Sequence, residues 1–348
     1  MQTIAFVGGG TAGHVMPNLA IISAIGKDYN CVYIGCDGME KELCEARGIP
    51  FHTIKAVKFR RDAILKNLAI PFKLASCVKS AKHVLAKVKP DLIFSKGGYA
   101  SLPVVLAAKH IPVISHESDF SPGLCTKLAK RKSKYVLCAF ESCAAKFKNG
   151  VHCGTPLRRE LYAGAKQSRA ALLSRYGLDG RKPVLTVVGG SSGAASVNET
   201  VVAALPALLK HFDVIHVTGK NKHGGERAKG YTPVQFETDM GGLYSVTDVA
   251  VTRAGANALA ELIALGVPAL AIPLEKASRG DQLLNAEYFE SKGAVKVLRE
   301  SGMTAETLVA AVLDLYNRRS RYKAAQAEIE VDGTDKIAEI IKNTLKTK

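Results

Sequence analysis

The 348-residue chain has no tryptophan, and aromatic residues make up only 6% of it. With no recognisable nucleic-acid module either, this argues against a nucleic-acid partner despite a strongly basic balance. None of the eight cysteines (Cys31, Cys36, Cys44, Cys77, Cys125, Cys138, Cys143, Cys153) forms a Cys-x-x-Cys pair. They lie mostly in apolar stretches of the first half and read as reduced core residues, not as a disulfide set or zinc site. Met1-Gln2-Thr3 opens directly onto a short apolar run, without the basic start and long apolar stretch of a signal peptide. The longest nearly apolar run, 263–274, is too short to cross a bilayer. The chain is therefore expected to stay in the cytosol and span nothing. No segment is of low complexity.

What is abundant is positive charge. Lys and Arg number 48 against 31 Asp and Glu, a net charge of +17. Between Lys55 and Lys89 ten bases face one acid, Asp62, and a second cluster joins Lys127, Lys130, Arg131, Lys132 and Lys134. Within the first cluster Arg60, Arg61, Lys66 and Lys73 interleave with Ile64, Leu65, Leu68, Ile70 and Phe72. A solvated basic face would keep the protein soluble. Bases beside exposed apolar groups are what an anionic membrane surface requires, and that reading is preferred.

Two glycine-rich loops organise the chain. Gly8-Gly9-Gly10-Thr11-Ala12-Gly13-His14 follows the apolar run 4–7, and Gly189-Gly190-Ser191-Ser192-Gly193-Ala194 follows the run 184–188. Each reads as buried strand, tight turn and helix start, where free N–H groups and a positive dipole end receive an anion. The length suits two domains of roughly 150–180 residues. In the first half, strands at 3–7, 31–35, 51–54, 91–95, 112–116 and 134–138 alternate with helices at 17–25, 38–46, 62–88, 101–109 and 122–131. A polar stretch, 159–183, helical from Ser168 to Tyr176, reads as a linker before a fresh start. In the second half, strands at 184–188, 213–217, 233–236, 249–251 and 268–272 alternate with helices at 195–210, 239–246, 255–265 and 281–291. A helix at 304–316 and a tail from Asp335 close the chain. This alternation predicts doubly wound parallel sheets.

Candidate chemistry sits where strands end. Glu261, about two turns into the helix after Thr252-Arg253-Ala254-Gly255, could accept both hydroxyls of a ribose, or be an ordinary surface Glu. Asp281, Gln282 and Asn285 open a helix after the 268–272 strand, at the sheet edge where open α/β sheets bind ligands; Asp281 also suits a plain N-cap. In the first half, 94–99 and 116–119 follow strands at the same edge. His14 and His116 are expected to face one crevice.

Seven ordered segments resemble the MurG family: GGGTAGHVMPNLA, SKGGYASLPVVLAAK, SHESDFSPGL, GTPLR, GGSSGAASVNE, TRAGANALAE and SRGDQLLNA. The resemblance covers nearly the whole chain, and HESDFSPGL and SRGDQ are similar to a Gram-positive subgroup. It implies a GT-B fold: two Rossmann-like α/β domains with a cleft between them. It implies residues 1–158 as an acceptor and membrane domain, with a helix at 333–348 packing back on it, and 159–332 as the UDP-GlcNAc domain. It implies an inverting transfer of N-acetylglucosamine from UDP-GlcNAc to the muramyl 4-hydroxyl of lipid I, the undecaprenyl-pyrophosphoryl-MurNAc-pentapeptide, giving lipid II.

Carried over by motif, Thr11, Gly13, Arg158, Ser191, Ala256, Asn257, Glu261, Asp281, Gln282 and Asn285 would serve the donor. His14, Tyr99 and Asp119 would line the acceptor side. His14 is the candidate general base, or a ligand of the acceptor pyrophosphate. Arg60, Arg61, Ile64, Leu65, Lys66, Leu68, Phe72 and Lys73 would meet the membrane. No Asp-x-Asp motif stands in the cleft loops, so neither metal nor cofactor is expected. The expected partners are UDP-GlcNAc, lipid I, the anionic inner leaflet and other cell-wall synthesis proteins, and the expected location is peripheral on the cytoplasmic face of the membrane. The pattern is broken by Ala12 at a usual glycine, Asp119 at a usual Asn and Asp281 at a usual Gln. A UDP-GlcNAc 2-epimerase and an inactive membrane-docked nucleotide-sugar sensor are the alternatives.

Overall fold

The computed structural model describes residues 1–57, 70–190, 193–219, 224–275 and 280–346. They form two compact units, 1–158 with 332–348, and 159–331. The strands are β1 (Thr3–Val7), β2 (Asn30–Gly35), β3 (Phe51–Thr53), β4 (Leu92–Ser95), β5 (Val113–Glu117), β6 (Ser133–Cys138) and β7 (Gly150–His152) in the first unit. The second unit holds β8 (Val184–Val188), β9 (Asp213–Val217), β10 (Tyr231–Val234), β11 (Val249–Arg253), β12 (Ala269–Ile272) and β13 (Val295–Val297). The helices of the first unit are α1 (Ala12–Ile25), α2 (Met39–Glu45), α3 (Ile70–Val88), α4 (Ser101–Ala107), α5 (Leu124–Ala129) and α6 (Glu141–Ala144). Those of the second are α7 (Arg159–Ala163), α8 (Arg169–Arg175), α9 (Ala195–Leu208), α10 (Met240–Val246), α11 (Ala256–Ala264), α12 (Asp281–Ser291), α13 (Ala305–Asn317) and α14 (Arg319–Ala327). The last helix, α15 (Thr334–Lys346), returns to the first unit.

Each unit is one parallel sheet, ordered β3-β2-β1-β4-β5-β6-β7 and β10-β9-β8-β11-β12-β13. β1 and β8 are therefore interior, and the order in which strands are added switches side next to each of them, the arrangement in which loops at the strand ends open a binding crevice. The two faces of the first sheet follow from period-two alternation along its strands. Ile4 and Phe6 pack with Leu92, Phe94, α1 and the α15 residues Ile337 and Ile341. Ala5 and Val7 pack on the other side with Ile93, with Ala81 and Leu85 of α3, and with Val104 and Val105 of α4. In the second unit Leu185, Val187, Val251 and Ile272 pack with Val197 and Val201 of α9 and Leu308 and Val312 of α13.

Three local expectations differ from the structure. Helix α1 starts at Ala12, five residues before Pro17, so that it grows directly out of the first glycine loop. The stretch 159–183 is no linker. The helix expected at 168–176 is α8, but α7 precedes it and the stretch packs on the second unit: Gly164 lies so close to Gly241 that a side chain at Gly164 would collide with the Gly241 backbone. Tyr176, 3% exposed, anchors this stretch by donating to Glu237 Oε2 at 2.6 Å. Strand β10 begins two residues early because Tyr231 is fully buried and reaches back to the Gly224 carbonyl and His216. Of the expected helix 62–88, residues 70–88 form α3 and residues 62–69 lie outside the described residues.

Candidate active site

The carboxyl ends of adjacent strands β1, β4 and β5 bring three loops of the first unit together. Tyr33 donates to the Gly8 carbonyl at 2.8 Å and receives the Asn18 amide at 3.1 Å, which fixes the start of the glycine loop from below. Gly10 adopts φ +92°, and a side chain there would collide with the Tyr99 ring. Gly98, at φ +79°, approaches so closely that a Cβ would stand 2.6 Å from the Gly9 carbonyl oxygen and 3.5 Å from His14 Cγ. Only glycine permits these approaches without strain. They bring His14 and Tyr99 to one pair of loops. His14 lies in the first turn of α1, half-buried, with Nδ1 2.9 Å from Thr11 Oγ1. That contact sets the ring's orientation. Ala12 is the first helical residue and shows no positive φ, so a side chain is accommodated at this point of the loop.

Asp119 belongs to a tightly tied turn. Its N–H donates to Glu117 Oε1 at 3.4 Å, and Glu117 Oε2 accepts from the Gly123 N–H at 2.8 Å and Thr126 Oγ1 at 2.6 Å. Beneath it Lys96, 4% exposed, donates to Ser118 Oγ at 2.6 Å. Burial lowers the Lys96 ammonium from its ordinary range, and the charges of Glu117 and Asp119 oppose that shift. His116 does not face the crevice as expected. It is 1% exposed, its Nε2 meets the Gly154 carbonyl at 2.9 Å, and burial pushes its pKa well below 6.5. It ties β5 to the Gly154–Arg158 segment. That segment is also gripped by α15: the Leu157 N–H donates to Thr334 Oγ1 at 2.8 Å, and Thr334 returns a hydrogen bond to the Leu157 carbonyl at 3.0 Å. Arg158 is half-buried at its end.

In the second unit the ends of β8, β11 and β12 are neighbours. The Gly193 N–H closes a turn onto the Gly190 carbonyl at 3.0 Å, with both glycines at positive φ, and α9 follows at once. Ser191 lies outside the described residues. Ala256 opens α11 with Asn257 beside it, and Glu261, half-buried, stands further along the same helix. In α12 the N-cap is Gly280, at φ +81°, and Asp281 is the first helical residue. A carboxylate in that first turn complements the helix dipole, which accounts for an acid at this position. Gln282 Oε1 accepts the Leu274 N–H at 2.9 Å. Asn285 is fully buried, and its amide donates to the Ala254 carbonyl at 3.3 Å. It holds the loop before α11 in place.

Several residues escaped the sequence reading. Arg253 ends β11 and donates to Glu300 Oε1 at 2.8 Å, Ser196 Oγ at 3.0 Å and the Ile272 carbonyl at 3.3 Å. Arg253 pulls the Glu300 carboxyl below its ordinary range. Its place in TRAGANALAE was the signal available. Behind the second glycine loop, His216 Nε2 meets Asn198 Oδ1 at 3.1 Å, its Nδ1 meets the Tyr231 hydroxyl at 2.9 Å, and Asn198 donates to the Thr218 carbonyl at 3.0 Å. Burial lowers the pKa of His216 to about 4. This network joins α9 to the ends of β9 and β10.

Among the described residues no group of three or more His, Cys, Asp or Glu is placed to hold a metal ion, and no helix is long and apolar enough to cross a membrane. All eight cysteines are free. Of the candidate membrane residues, Arg60, Arg61, Ile64, Leu65, Lys66 and Leu68 lie outside the described residues. Phe72 and Lys73 open α3 and are exposed, Phe72 by 82%.

Comparison with known proteins agrees with this architecture. Residues 4–138 match the glycosyltransferase family 28 N-terminal domain, and residues 184–343 match the glycosyltransferase family 28 C-terminal domain. The chain is 45% identical to the UDP-N-acetylglucosamine–N-acetylmuramyl-(pentapeptide) pyrophosphoryl-undecaprenol N-acetylglucosamine transferase of Lachnospira eligens, over 99% of this chain and 100% of the relative. The crystal structure of Acinetobacter baumannii MurG superposes with a TM-score of 0.74 at 26% identity, over 99% of this chain and all of that one. The UDP-GlcNAc 2-epimerase of Methanocaldococcus jannaschii shares the fold alone, at 15% identity and a TM-score of 0.65, over 99% of this chain and all of the epimerase. The chain belongs to glycosyltransferase family 28 and, within it, to the MurG family of N-acetylglucosamine transferases.

Proposed function

We propose a division of labour for this UDP-GlcNAc-dependent transferase, which adds N-acetylglucosamine to lipid I to form lipid II in peptidoglycan synthesis. The observation that carries the activity is the 45% identity over essentially the full length of both chains. The epimerase reading rests on shared fold alone and is set aside. The sensor reading is disfavoured by full-length membership in a family named for transfer.

The second unit is the donor unit. Its glycine loop, with Ser191 and the start of α9, neutralises the diphosphate, because unpaired N–H groups and the helix dipole favour developing negative charge on departing UDP. Arg158 assists with the same charge. Thr11 and Gly13 meet the donor from the first glycine loop. Ala256 and Asn257 approach the nucleotide by backbone, and Glu261 accepts the ribose hydroxyls. Asp281 and Gln282 read the sugar, and Asn285 supports them from beneath by holding the Ala254 carbonyl. A metal is not required where dipoles and a guanidinium already stabilise the leaving group.

The first unit is the acceptor unit. Tyr99 and Asp119 line it, and His14 takes the proton from the muramyl 4-hydroxyl as that oxygen attacks the anomeric carbon. Direct displacement inverts the α-linked donor and gives a β-linked disaccharide. The orientation that Thr11 imposes on the His14 ring supports the role of base. The basic, apolar stretch 58–82 docks peripherally on the anionic cytoplasmic leaflet, supported by the exposure of Phe72 and Lys73 at the start of α3.

Purified protein, labelled UDP-GlcNAc and a water-soluble lipid I analogue test the activity directly. A labelled disaccharide product with stoichiometric UDP is expected. UDP-GlcNAc epimerised without transfer would reject it.

A further inference from the structure

Lys96 directly follows β4 and is buried, although a lysine is almost never fully enclosed unless its charge is paired. Its N–H donates to the Val7 carbonyl at 2.9 Å, which ties its backbone to the end of β1. A Cβ built at Gly8 would stand 3.3 Å from Lys96 Cβ, so the side chain starts directly against the first glycine loop. It ends at the neighbouring turn, where Nζ donates to Ser118 Oγ at 2.6 Å. One buried side chain thus reaches from the loop that carries His14 to the turn that carries Asp119.

Packing alone does not account for a charge here. Methionine would fill an apolar interior with an unbranched chain, whereas an enclosed ammonium loses its hydration and keeps only what its surroundings return. Those surroundings include Glu117 and Asp119, whose negative charges favour the charged form of Lys96 against burial. The acids have equal need of it. They stand two residues apart in one turn, and residues 116–126 hold neither Lys nor Arg. The donors to Glu117, which are the Asp119 and Gly123 N–H groups and the Thr126 hydroxyl, are all neutral. His116 beside them is uncharged at neutral pH, because burial and the Lys96 charge push its pKa well below 6.5. Lys96 therefore sets a full positive charge beneath this turn.

We propose that Lys96 is a positioning residue for the acceptor: its buried ammonium fixes the Ser118–Asp119 turn and offsets the Asp119 carboxylate where that turn meets an anionic, diphosphate-linked acceptor. This rests on the placement of the acceptor on the first unit under the proposed function, and adds a residue to it. An uncompensated carboxylate beside a diphosphate repels it, as like charges do across any interface. Being buried, Lys96 acts through Ser118 and Asp119 and not on the reacting atoms. Its loss therefore falls on acceptor binding and spares the chemical step.

Two variants of the full chain remove the charge. Lys96→Met leaves an unbranched apolar chain, and Lys96→Gln keeps a hydrogen-bond donor for Ser118. Both are compared with Asp119→Asn and with the double variant Lys96→Met/Asp119→Asn, using UDP-GlcNAc and the water-soluble lipid I analogue. Melting curves and calorimetric binding of UDP report that each variant is folded. Acceptor KM is expected to rise about tenfold or more in both Lys96 variants, with kcat and donor KM within about threefold of wild type. The double variant removes the acid along with the base. Its acceptor KM should therefore exceed that of Asp119→Asn by no more than about threefold. A lysine that only supports the fold would give the same loss in both backgrounds, and would not separate KM from kcat. That result, or an unchanged acceptor KM in both Lys96 variants, overturns the inference while wild-type transfer upholds the reading beneath it. Absence of transfer by the wild type overturns both.

Discussion

Arg253 and Glu300 form an ion pair of 2.8 Å at the end of β11, with the Arg253 and Glu300 side chains only 11% and 22% exposed. Ser196, in the first turn of α9, bonds both partners. One guanidinium thus ties the helix that follows the glycine loop to the ends of β11 and β12. Removing it by Arg253→Ala leaves a half-buried carboxylate and hydroxyl without their donor, a loss of about 2 kcal/mol. Chemical denaturation should show that loss, and the KM for UDP-GlcNAc should rise. Arg253→Lys should rescue little, because an ammonium cannot span the three acceptors as a planar fork does. Wild-type stability and KM in Arg253→Ala would remove this tie from the donor site.

Glu261→Ala is expected to weaken donor binding by about 10- to 150-fold, the value of a hydrogen bond to a charged group. UDP lacking the ribose hydroxyls supplies the control: its affinity should be the same for wild type and variant. A donor KM that does not move would return Glu261 to the role of a surface residue.

His14→Ala should lower kcat by about 10²-fold or more with the soluble acceptor if His14 is the base. Thr11→Val, which removes the 2.9 Å contact to Nδ1 together with the hydroxyl offered to the donor, should lower kcat by a smaller factor, raise donor KM and leave acceptor KM near wild type. An effect confined to acceptor KM would make His14 a pyrophosphate ligand.

Acid should unlock the second unit. His216 is fully buried and its pKa falls to about 4, against an ordinary 6.5. A depressed folded-state pKa means that the unfolded chain binds more protons between these values. The stability held above pH 6.5 is therefore lost as pH falls toward 4, by up to about 3 kcal/mol for this residue. His116, depressed for the same reason, acts in the same direction in the first unit. Melting temperature measured from pH 7 to pH 4.5 should fall for the wild type, and His216→Gln should flatten part of that slope. An equal slope in the variant would refute the role of His216.

The architecture was legible because apolar β-branched runs ending in glycine and polar loops leave few alternatives for a chain of this length. Helix α12 at 281–291 and strands β8 and β9 match the sequence spans. The short strands β7 and β13 were not legible, since three residues carry too little periodicity. The 159–183 stretch showed its helix at 168–176 but read as a linker because its composition is polar, whereas its place is decided by Gly164 against Gly241 and Tyr176 against Glu237. His116 misled for a related reason: a polar side chain at a strand end can face ligand or brace backbone, and this one braces Gly154.

Sequence alone determined the two-unit α/β plan, both glycine loops and the family, because local periodicity and turn chemistry act over a few residues and are written in order. Tertiary structure alone decided which polar groups remain available to a ligand. Arg253 with Glu300, His216 with Asn198 and Lys96 with Ser118 are separated by 47, 18 and 22 residues in sequence. Their partners are chosen by strand order and burial, since an enclosed polar group must find its complement wherever the fold brings one within reach.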